Sequence, residues 1–155
     1  MRKKDTSKDH LLVSLLRQDA RQPIRTLGNA ISMCRGTVAE RLFSLQKEVI
    51  RKYTALVDFR KLGFGTRVLF TISLASEEKN IFGRYIRGHP ALNNLYQTTN
   101  GADYIFEMIF CNHHEYSLFM EDIEYAFAIH SLTTSFIEQE LVREAFVTSL
   151  PAGAS

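Results

Sequence analysis

The chain has 155 residues, of which 45% are hydrophobic and 23% charged, and its formal net charge is +2. This length suits one domain or two small ones, and the composition is that of a folded globular protein. No apolar run approaches the roughly 20 residues that span a bilayer, and the N-terminus has no apolar signal core, so we expect a cytoplasmic protein without a membrane partner. Cys34 and Cys111 lack metal-ligand spacing, which predicts free thiols and no metal or other cofactor.

The charges are unevenly distributed along the chain. Residues 1–62 hold 14 Lys and Arg against 6 Asp and Glu, a net charge of +8, whereas residues 63–155 hold 5 against 11, a net charge of −6. The basic part suits a polyanion, which it would bind largely by releasing counterions from phosphates. Because a basic stretch can also be a solvated surface, the asymmetry is supporting evidence only.

Residues 9–23 predict a first helix followed by a turn. Asp9 is the expected N-cap, and the helix runs to about Gln18. Pro23 is well placed to start the next helix, because its fixed φ suits the first helical turn. The apolar stripe expected to be buried on the first helix consists of Leu11, Leu12, Leu15 and Leu16.

Residues 24–46 predict a helix-turn-helix. Two apolar sets at helical spacing flank a break at residues 32–33. These sets are Ile24, Leu27 and Ile31, and then Val38, Leu42 and Leu45. The second helix of such a motif can lie in the DNA major groove, although an ordinary helical hairpin has the same pattern. The residues expected to project outward from it are Arg35, Thr37, Glu40, Arg41 and Ser44.

A segment rich in β-branched and aromatic residues, 50–57, predicts a strand. Two glycines then break the pattern, so a boundary is expected within residues 58–65. The predicted organisation is a helix-turn-helix DNA-binding domain at 1–49, a strand and hinge linker at 50–65, and a second domain at 66–155.

From residue 66 the chain predicts strand, helix, strand, strand, helix and strand. Period-two alternation marks the strands, and an apolar stripe on the first helix consists of Ile81, Phe82, Tyr85 and Ile86. Asn112 is the expected cap of the second helix. The last strand, 129–141, loses its alternation between Phe136 and Ile137, which indicates a bulge or an early end.

This order is the ferredoxin-like arrangement, an α+β fold with a four-stranded antiparallel sheet and both helices on one face. The opposite sheet face would carry Leu69, Ile105, Ile109 and Ile137. A half-apolar open face of this kind usually meets another sheet or subunit, so a homodimer is expected.

Residues along the whole chain resemble one family. They are Asp19-Ala20-Arg21, Leu27, Thr37-Val38, Arg41-Leu42, Leu45, Ile50, Tyr53-Thr54-Ala55-Leu56-Val57-Asp58 and Leu62-Gly63. Over about residues 9–141 the chain resembles the leucine-responsive/asparagine-operon (Lrp/AsnC) transcription regulators. The resemblance implies a three-helix (winged) helix-turn-helix and a ferredoxin-like domain that makes dimers, extending to a ring of four dimers, an octamer. It also implies an amino acid or related small effector bound between subunits.

The chain departs from the family pattern at the turn of the helix-turn-helix. Cys34 stands where the family usually has a capping serine, Ser32 replaces the usual turn glycine, and Gly28 replaces a common alanine. Gly36 weakens the recognition helix but permits close approach to DNA.

The resemblance also places an effector loop between the second and third strands. Its residues are Thr99, Asn100, Gly101, Ala102, Asp103 and Tyr104. Backbone N–H groups, a hydroxyl and a carboxylate are suited to hold the α-carboxylate and α-amino groups of an amino acid. The competing interpretation is a plain hairpin turn in which Asp103 bonds the backbone.

Double-stranded DNA is the expected partner of the basic part. The predicted phosphate contacts are Arg21, Arg25, Arg35, Arg41, Lys47 and Arg51. The best candidates for base edges are Arg35, Thr37 and Arg41, with Gly36, Glu40 and Ser44 on the same surface.

Two rival functions remain open at the level of sequence. One is an enzyme, since His113, His114 and Glu115 are adjacent, and some related two-domain proteins are haem-pathway decarboxylases. Neighbouring helix residues point about 100° apart and the chain has no catalytic motif, so we predict no catalysis. The other rival is a ligand-binding or assembly module with weakened DNA binding, against which the basic charge argues.

Overall fold

The computed structural model describes residues 6–99 and 101–146. These residues form two compact units. One contains the described residues up to Leu56 together with those from Leu141 onward, and the other is Val57–Glu140. None of the helices in the described part is long and apolar enough to cross a membrane.

Three helices build the first unit: α1 (Thr6–Gln18), α2 (Ile24–Ile31) and α3 (Arg35–Glu48). Their core consists of Leu12, Leu27, Ile31, Val38 and Leu45, with the other leucines of α1 packed against it. The predicted three-helix arrangement is therefore confirmed. The predicted cap is wrong: the chain is already helical at Thr6, which places Asp9 inside the first turn, where a carboxylate suits the helix dipole.

The turn between α2 and α3 depends on two small residues. Ser32 takes a left-handed conformation with φ 54°, the conformation that a glycine adopts most readily. The amide of Met33 donates to the carbonyl of Gly28 at 2.9 Å. A Cβ at Gly28 would lie 2.7 Å from the Met33 carbonyl oxygen, so the turn can close this tightly only because Gly28 lacks one.

Residues 50–57 do not form the predicted strand. Residues 51–57 are exposed and form neither helix nor strand. β-Branched residues favour extended backbone, but a strand also needs a neighbouring strand for its N–H and C=O groups. Among the described residues, none pairs with this segment. The linker is therefore irregular, and it is followed by a short 3₁₀ turn, Arg60–Leu62, which ends at Gly63 with φ 91°.

Arg17, in the last turn of α1, holds the C-terminal segment of the same unit. Its Nη2 lies 2.6 Å from Oε2 of Glu144. Its Nε donates to the carbonyl of Phe146 at 2.7 Å. The chain thus returns to the helical unit after completing the second unit.

The second unit contains a four-stranded antiparallel sheet and two helices. In chain order the elements are β1 (Thr66–Leu74), α4 (Lys79–Arg87), β2 (Leu92–Gln97), β3 (Tyr104–Phe110), α5 (His113–Ala126) and β4 (Ile129–Phe136). The strand order is β2-β3-β1-β4, and every neighbouring pair is antiparallel. The predicted ferredoxin-like arrangement is confirmed.

One sheet face and both helices share a single core. Phe70 stacks on Phe106 with ring centroids 4.8 Å apart, and Phe119 of α5 meets Phe70 edge-on at 5.4 Å. Phe82 and Ile86 bring α4 into the same cluster. The expected apolar stripe of α4 is wrong at Ile81, which is 50% exposed, because the buried face continues through Gly83 instead.

The structure also bears on the predicted end of the last strand and on the predicted cap of α5. β4 ends at Phe136, so the loss of alternation marks an early end. The register shift along β1 and β4 lies between Ser73 and Leu74. Asn112 caps α5 as expected, since its side chain accepts a hydrogen bond from the amide of Glu115.

The sheet face opposite the helices is less apolar than expected. Ile109 is buried on it, but Leu69 is 37% exposed. The same face carries Glu107, which is only 5% exposed although it is charged. Its carboxylate is bound by Arg67 and accepts hydrogen bonds from Asn93 at 2.6 Å and Asn94 at 2.7 Å.

Candidate nucleic-acid interface

The outward face of α3 lies opposite its two buried residues, Val38 and Leu45. At about 100° per residue, Gly36, Glu40 and Lys47 point away from that buried side. All three are exposed. This part of the predicted surface is therefore presented to solvent on one face of the helix.

Exposed basic residues continue around the helix-turn-helix. Arg35 lies at the start of α3, Arg25 on α2 and Arg21 just before it, and Arg51 follows α3 in the linker. The Lys47 ammonium lies 4.1 Å from the centre of the Phe43 ring. These cations stand in solvent, as phosphate contacts require.

Arg41 does not project outward as expected. Its Nη1 lies 2.6 Å from Oδ1 of Asp9, and the exposed fractions of the two side chains are 21% and 13%. Arg41 follows Val38 by three residues, so it lies beside the buried face, next to α1. The expectation that this side chain faces outward is wrong.

Thr37 and Ser44 are only partly exposed, and each has a partner within its own helix region. The Thr37 hydroxyl lies 3.1 Å from the sulfur of Cys34. The Ser44 hydroxyl donates weakly to Glu48 at 3.4 Å. Both residues therefore border the outward face.

Cys34 is the N-cap residue of α3, but its sulfur accepts no cap hydrogen bond from a described residue. The side-chain hydrogen bond with Thr37 lowers the pKa of the Cys34 thiol below its usual value. The thiol is exposed. The position thus keeps the extended conformation of a cap without the strong acceptor that serine would supply.

Phe43 is also an outward residue of α3, although it is not among those that the sequence pattern predicted. Its side chain is 60% exposed, in the middle of α3. It follows Val38 by five residues, about 140° around the helix, so the helical period alone would have placed it on the outward face.

The predicted effector loop is occupied largely by its own contacts. Oδ1 of Asp103 lies 2.6 Å from the Lys79 ammonium, and Oδ2 accepts from the amide of Leu74 at 2.8 Å. The Lys79 hydrogen bond and then the Leu74 amide lower the pKa of Asp103. This carboxylate therefore fastens the loop to β1 and α4.

The remaining loop residues divide into buried and exposed ones. Tyr104 is buried, and its hydroxyl donates to the carbonyl of Lys79 at 3.0 Å. Thr99 and Gly101 are exposed and Ala102 is partly exposed, while Asn100 lies outside the described residues. Gly101 has φ 87°, which fits the turn interpretation.

Of the three residues of the enzyme alternative, His113 and Glu115 have structural partners, and His114 is exposed. Glu115 accepts a hydrogen bond from the amide of Cys111 at 2.9 Å, while its own amide is capped by Asn112 at 3.0 Å. The His113 ring packs against Tyr116 in a tilted arrangement, with ring centroids 5.1 Å apart. This start of α5 is a capped helix terminus.

Comparisons with known proteins agree on one kind of protein. No protein-family model matches the chain. The chain is 22% identical over 114 residues to the HTH-type transcriptional regulator FL11 of Pyrococcus horikoshii, covering 73% of this chain and 76% of that protein. It is 26% identical over 98 residues to the HTH-type transcriptional regulator LrpC of Bacillus subtilis, covering 63% of this chain and 68% of LrpC.

Solved structures show the same architecture. The transcriptional regulator NMB0573 of Neisseria meningitidis, in complex with L-Met, superposes with a TM-score of 0.80 at 21% identity, covering 94% of this chain and 96% of that one. The structure of Bacillus subtilis LrpC gives 0.78 at 23% identity, covering 92% and 99%.

A helix-turn-helix unit followed by a ferredoxin-like unit is the architecture of these regulators, and the sequence relatives are HTH-type transcriptional regulators. The sequence relatives and solved structures include LrpC and AsnC, so the chain is similar to the Lrp/AsnC regulators that its resemblance names. The curated relatives are transcriptional regulators rather than enzymes, which agrees with the prediction of no catalysis.

Proposed function

We propose that the protein is a sequence-specific DNA-binding transcription regulator. The observation that carries the proposal is the exposed face of α3, on which Gly36, Glu40 and Lys47 stand in solvent next to Arg35. A helix of this kind, second in a helix-turn-helix, fits the major groove. The net charge of +8 on residues 1–62 supports a phosphate backbone as partner.

The proposed contacts fall into two groups. Phosphates are contacted by exposed cations: Arg21, Arg25, Arg35, Lys47 and Arg51. Base edges are contacted from the first turns of α3, by Arg35, Thr37 and Glu40, with Gly36 allowing close approach and Ser44 at the border. Arg41 makes no DNA contact in this proposal; its ion pair with Asp9 holds α3 against α1.

A homodimer presents two α3 helices to successive major grooves, about 34 Å apart or a multiple of that distance. Ile109 and Leu69, on the sheet face opposite the helices, are candidates for the dimer contact. Rings of four such dimers extend the same assembly, as the family resemblance implies. Each dimer then binds double-stranded DNA at two half-sites, one for each α3 helix.

We also propose an amino acid or related small molecule as effector. Support comes from the L-Met complex of the similar Neisseria regulator. In this chain the exposed Thr99 and Gly101 and the partly exposed Ala102 offer backbone groups to such a ligand, while Asp103 and Tyr104 anchor the loop through Lys79. A ligand that binds one dimer geometry more tightly changes operator affinity by the same coupling free energy.

The test is fluorescence anisotropy of the full chain with duplex DNA from upstream of its own gene, with excess nonspecific DNA as competitor. Arg35→Ala should weaken binding about tenfold, and wild-type affinity should fall steeply with salt. Arg87→Ala, an exposed arginine of α4 in the other unit, is the control and should bind as wild type.

Repeating the titration with each amino acid identifies the effector. If the protein showed no salt-dependent binding to DNA, the proposal of a DNA-binding regulator would be contradicted. If an amino acid raised the melting temperature while no DNA bound, the assembly-module alternative would replace it.

A further inference from the structure

We propose that Phe43 reads a thymine methyl group in the major groove, so that the operator has an A·T pair at a fixed position in each half-site. This inference rests on the proposed DNA binding and names one element of the sequence that is recognised. It comes from the exposure of Phe43, the cation on its ring and the small residues beside it.

Phe43 is the large apolar side chain at the middle of the outward face of α3. It is 60% exposed and lies about 140° from Val38 and 160° from Leu45 around the helix. A single exposed apolar residue is ordinary on a protein surface. Its position between Glu40 and Lys47, on the face offered to DNA, is what gives it a candidate partner.

Lys47 places a positive charge against the ring. Its ammonium lies 4.1 Å from the ring centre, within the range of a cation–π contact. An aromatic surface edged by cations complements the polyanionic groove of DNA better than an apolar protein surface. The charge therefore favours a nucleic acid over another protein as the occupant.

Gly36 and Ala39 leave room for that partner. A Cβ built at Gly36 would meet no described atom within 4 Å, so the packing of the chain does not require a glycine there. Glycine inside a helix is unfavourable relative to alanine. Together with Ala39, also exposed, it lowers the surface next to Phe43 and allows bases to come close.

The chemistry of the groove then selects the base. In the major groove, the C5 methyl of thymine is the apolar group that a base edge presents, and aromatic side chains are among its partners. Phe43 has no hydrogen-bonding atom, so it cannot discriminate between the polar edges of G·C pairs. Its contact with a methyl group buries apolar surface on both sides, which favours binding.

The experiment uses a duplex enriched by the full wild-type chain from a random-sequence library. Each thymine of that duplex is replaced singly by uracil, which lacks only the methyl group, and affinity is measured by anisotropy. For the wild type, uracil at one position per half-site should weaken binding about fourfold, the effect of one buried carbon.

Phe43→Ala should bind the thymine duplex more weakly by a similar factor and be indifferent to uracil at that position. Phe43→Leu, which keeps an apolar contact, should retain part of the uracil effect. Tyr125→Ala removes a 95% exposed aromatic from α5 and is the matched control, expected to behave as wild type.

The results that would overturn the methyl contact differ from those that would overturn DNA binding. If the wild type tolerates uracil everywhere, or if Phe43→Ala keeps the full uracil penalty, the methyl contact is overturned while DNA binding stands. If Phe43→Ala changes only the molar mass in light scattering, Phe43 belongs to a protein interface and the inference is wrong. If no duplex is enriched at all, the proposed function itself fails.

Discussion

Arg41 on the recognition helix is bound to Asp9 on the first helix, with Nη1 and Oδ1 2.6 Å apart. Both side chains are largely withdrawn from solvent. The ion pair crosses between α3 and α1, two helices whose packing sets the direction in which the outward face of α3 points. An arginine whose sequence position suggests DNA contact therefore serves the scaffold that orients the contact surface.

Replacing Arg41 should weaken DNA binding without changing its salt dependence. Arg41→Ala loosens α3 but removes no phosphate contact, so the slope of log affinity against log salt should stay as in the wild type. Arg25→Ala removes an exposed cation and should reduce that slope by about 0.9. Anisotropy titrations at several salt concentrations measure both. A reduced slope for Arg41→Ala would mean that Arg41 leaves Asp9 when DNA binds.

The same pair should be measurable in stability. Asp9→Asn should lower the free energy of unfolding by about 1 kcal/mol, since the pair is partly buried and charge-assisted. A double-mutant cycle with Arg41→Met isolates the coupling in urea denaturation. Independent, additive effects of the two substitutions would show that the contact contributes nothing to stability.

Element order and core were predictable because they depend on periodicity. The alternation of Val68, Phe70, Ile72 and Leu74 fixes the buried face of β1 from the sequence alone. The linker was not predictable in the same way. Residues 50–57 have the composition of a strand, but pairing depends on a neighbour that local sequence does not specify.

The candidate site was predicted at the level of the helix and less well at the level of side chains. Helical spacing places Gly36 and Glu40 outward correctly, but it leaves Arg41 ambiguous at the edge of the buried face. Its orientation is decided by a partner 32 residues earlier, Asp9, which no local pattern indicates. Tyr104 was likewise assigned to a ligand, although its hydroxyl is used by the carbonyl of Lys79.

Glu107 should make the protein sensitive to acid. Burial raises the pKa of this carboxyl, but the hydrogen bonds from Arg67, Asn93 and Asn94 outweigh burial and hold the pKa below its usual value. A carboxyl with a lowered pKa in the folded state stabilises the protein above the ordinary glutamate pKa of about 4.3. That contribution is lost as the pH falls below this value towards the lowered pKa.

Glu107→Gln is therefore expected to destabilise the protein by about 2 kcal/mol at pH 7, because it removes the buried charge that pairs with Arg67 and accepts from two side-chain amides, while Arg67 keeps its ion pair with Glu140. The difference from wild type should shrink as the pH is lowered from 5 to 3 in urea denaturation. Glu138→Gln, at an exposed carboxylate of the same unit, is the control. A pH-independent difference would contradict the assignment of the effect to this ionised group.

The two thiols should differ in reactivity, although both are exposed. The hydrogen bond with Thr37 lowers the pKa of Cys34, whereas desolvation and the nearby Glu115 carboxylate raise the pKa of Cys111. Because the thiolate is the nucleophile, iodoacetamide near pH 8 should label Cys34 several-fold faster than Cys111. Peptide mass spectrometry reads both sites in one sample. Thr37→Val should slow the labelling of Cys34 and leave that of Cys111 unchanged. Equal labelling rates of the two thiols in the wild type would contradict the prediction.

Gly83 and Tyr104 should be coupled in stability. A Cβ at Gly83 would lie 2.6 Å from the Tyr104 hydroxyl oxygen, which is itself buried and bonded to the Lys79 carbonyl. Gly83→Ala gains helix propensity, about 1 kcal/mol, but overpacking costs about 1–3 kcal/mol, so a net loss of stability is expected. Removing the hydroxyl by Tyr104→Phe should relieve much of that loss. A double-mutant cycle in urea denaturation measures the coupling, and a Gly83→Ala penalty that is unchanged in the Tyr104→Phe background would show that the clash is with other atoms.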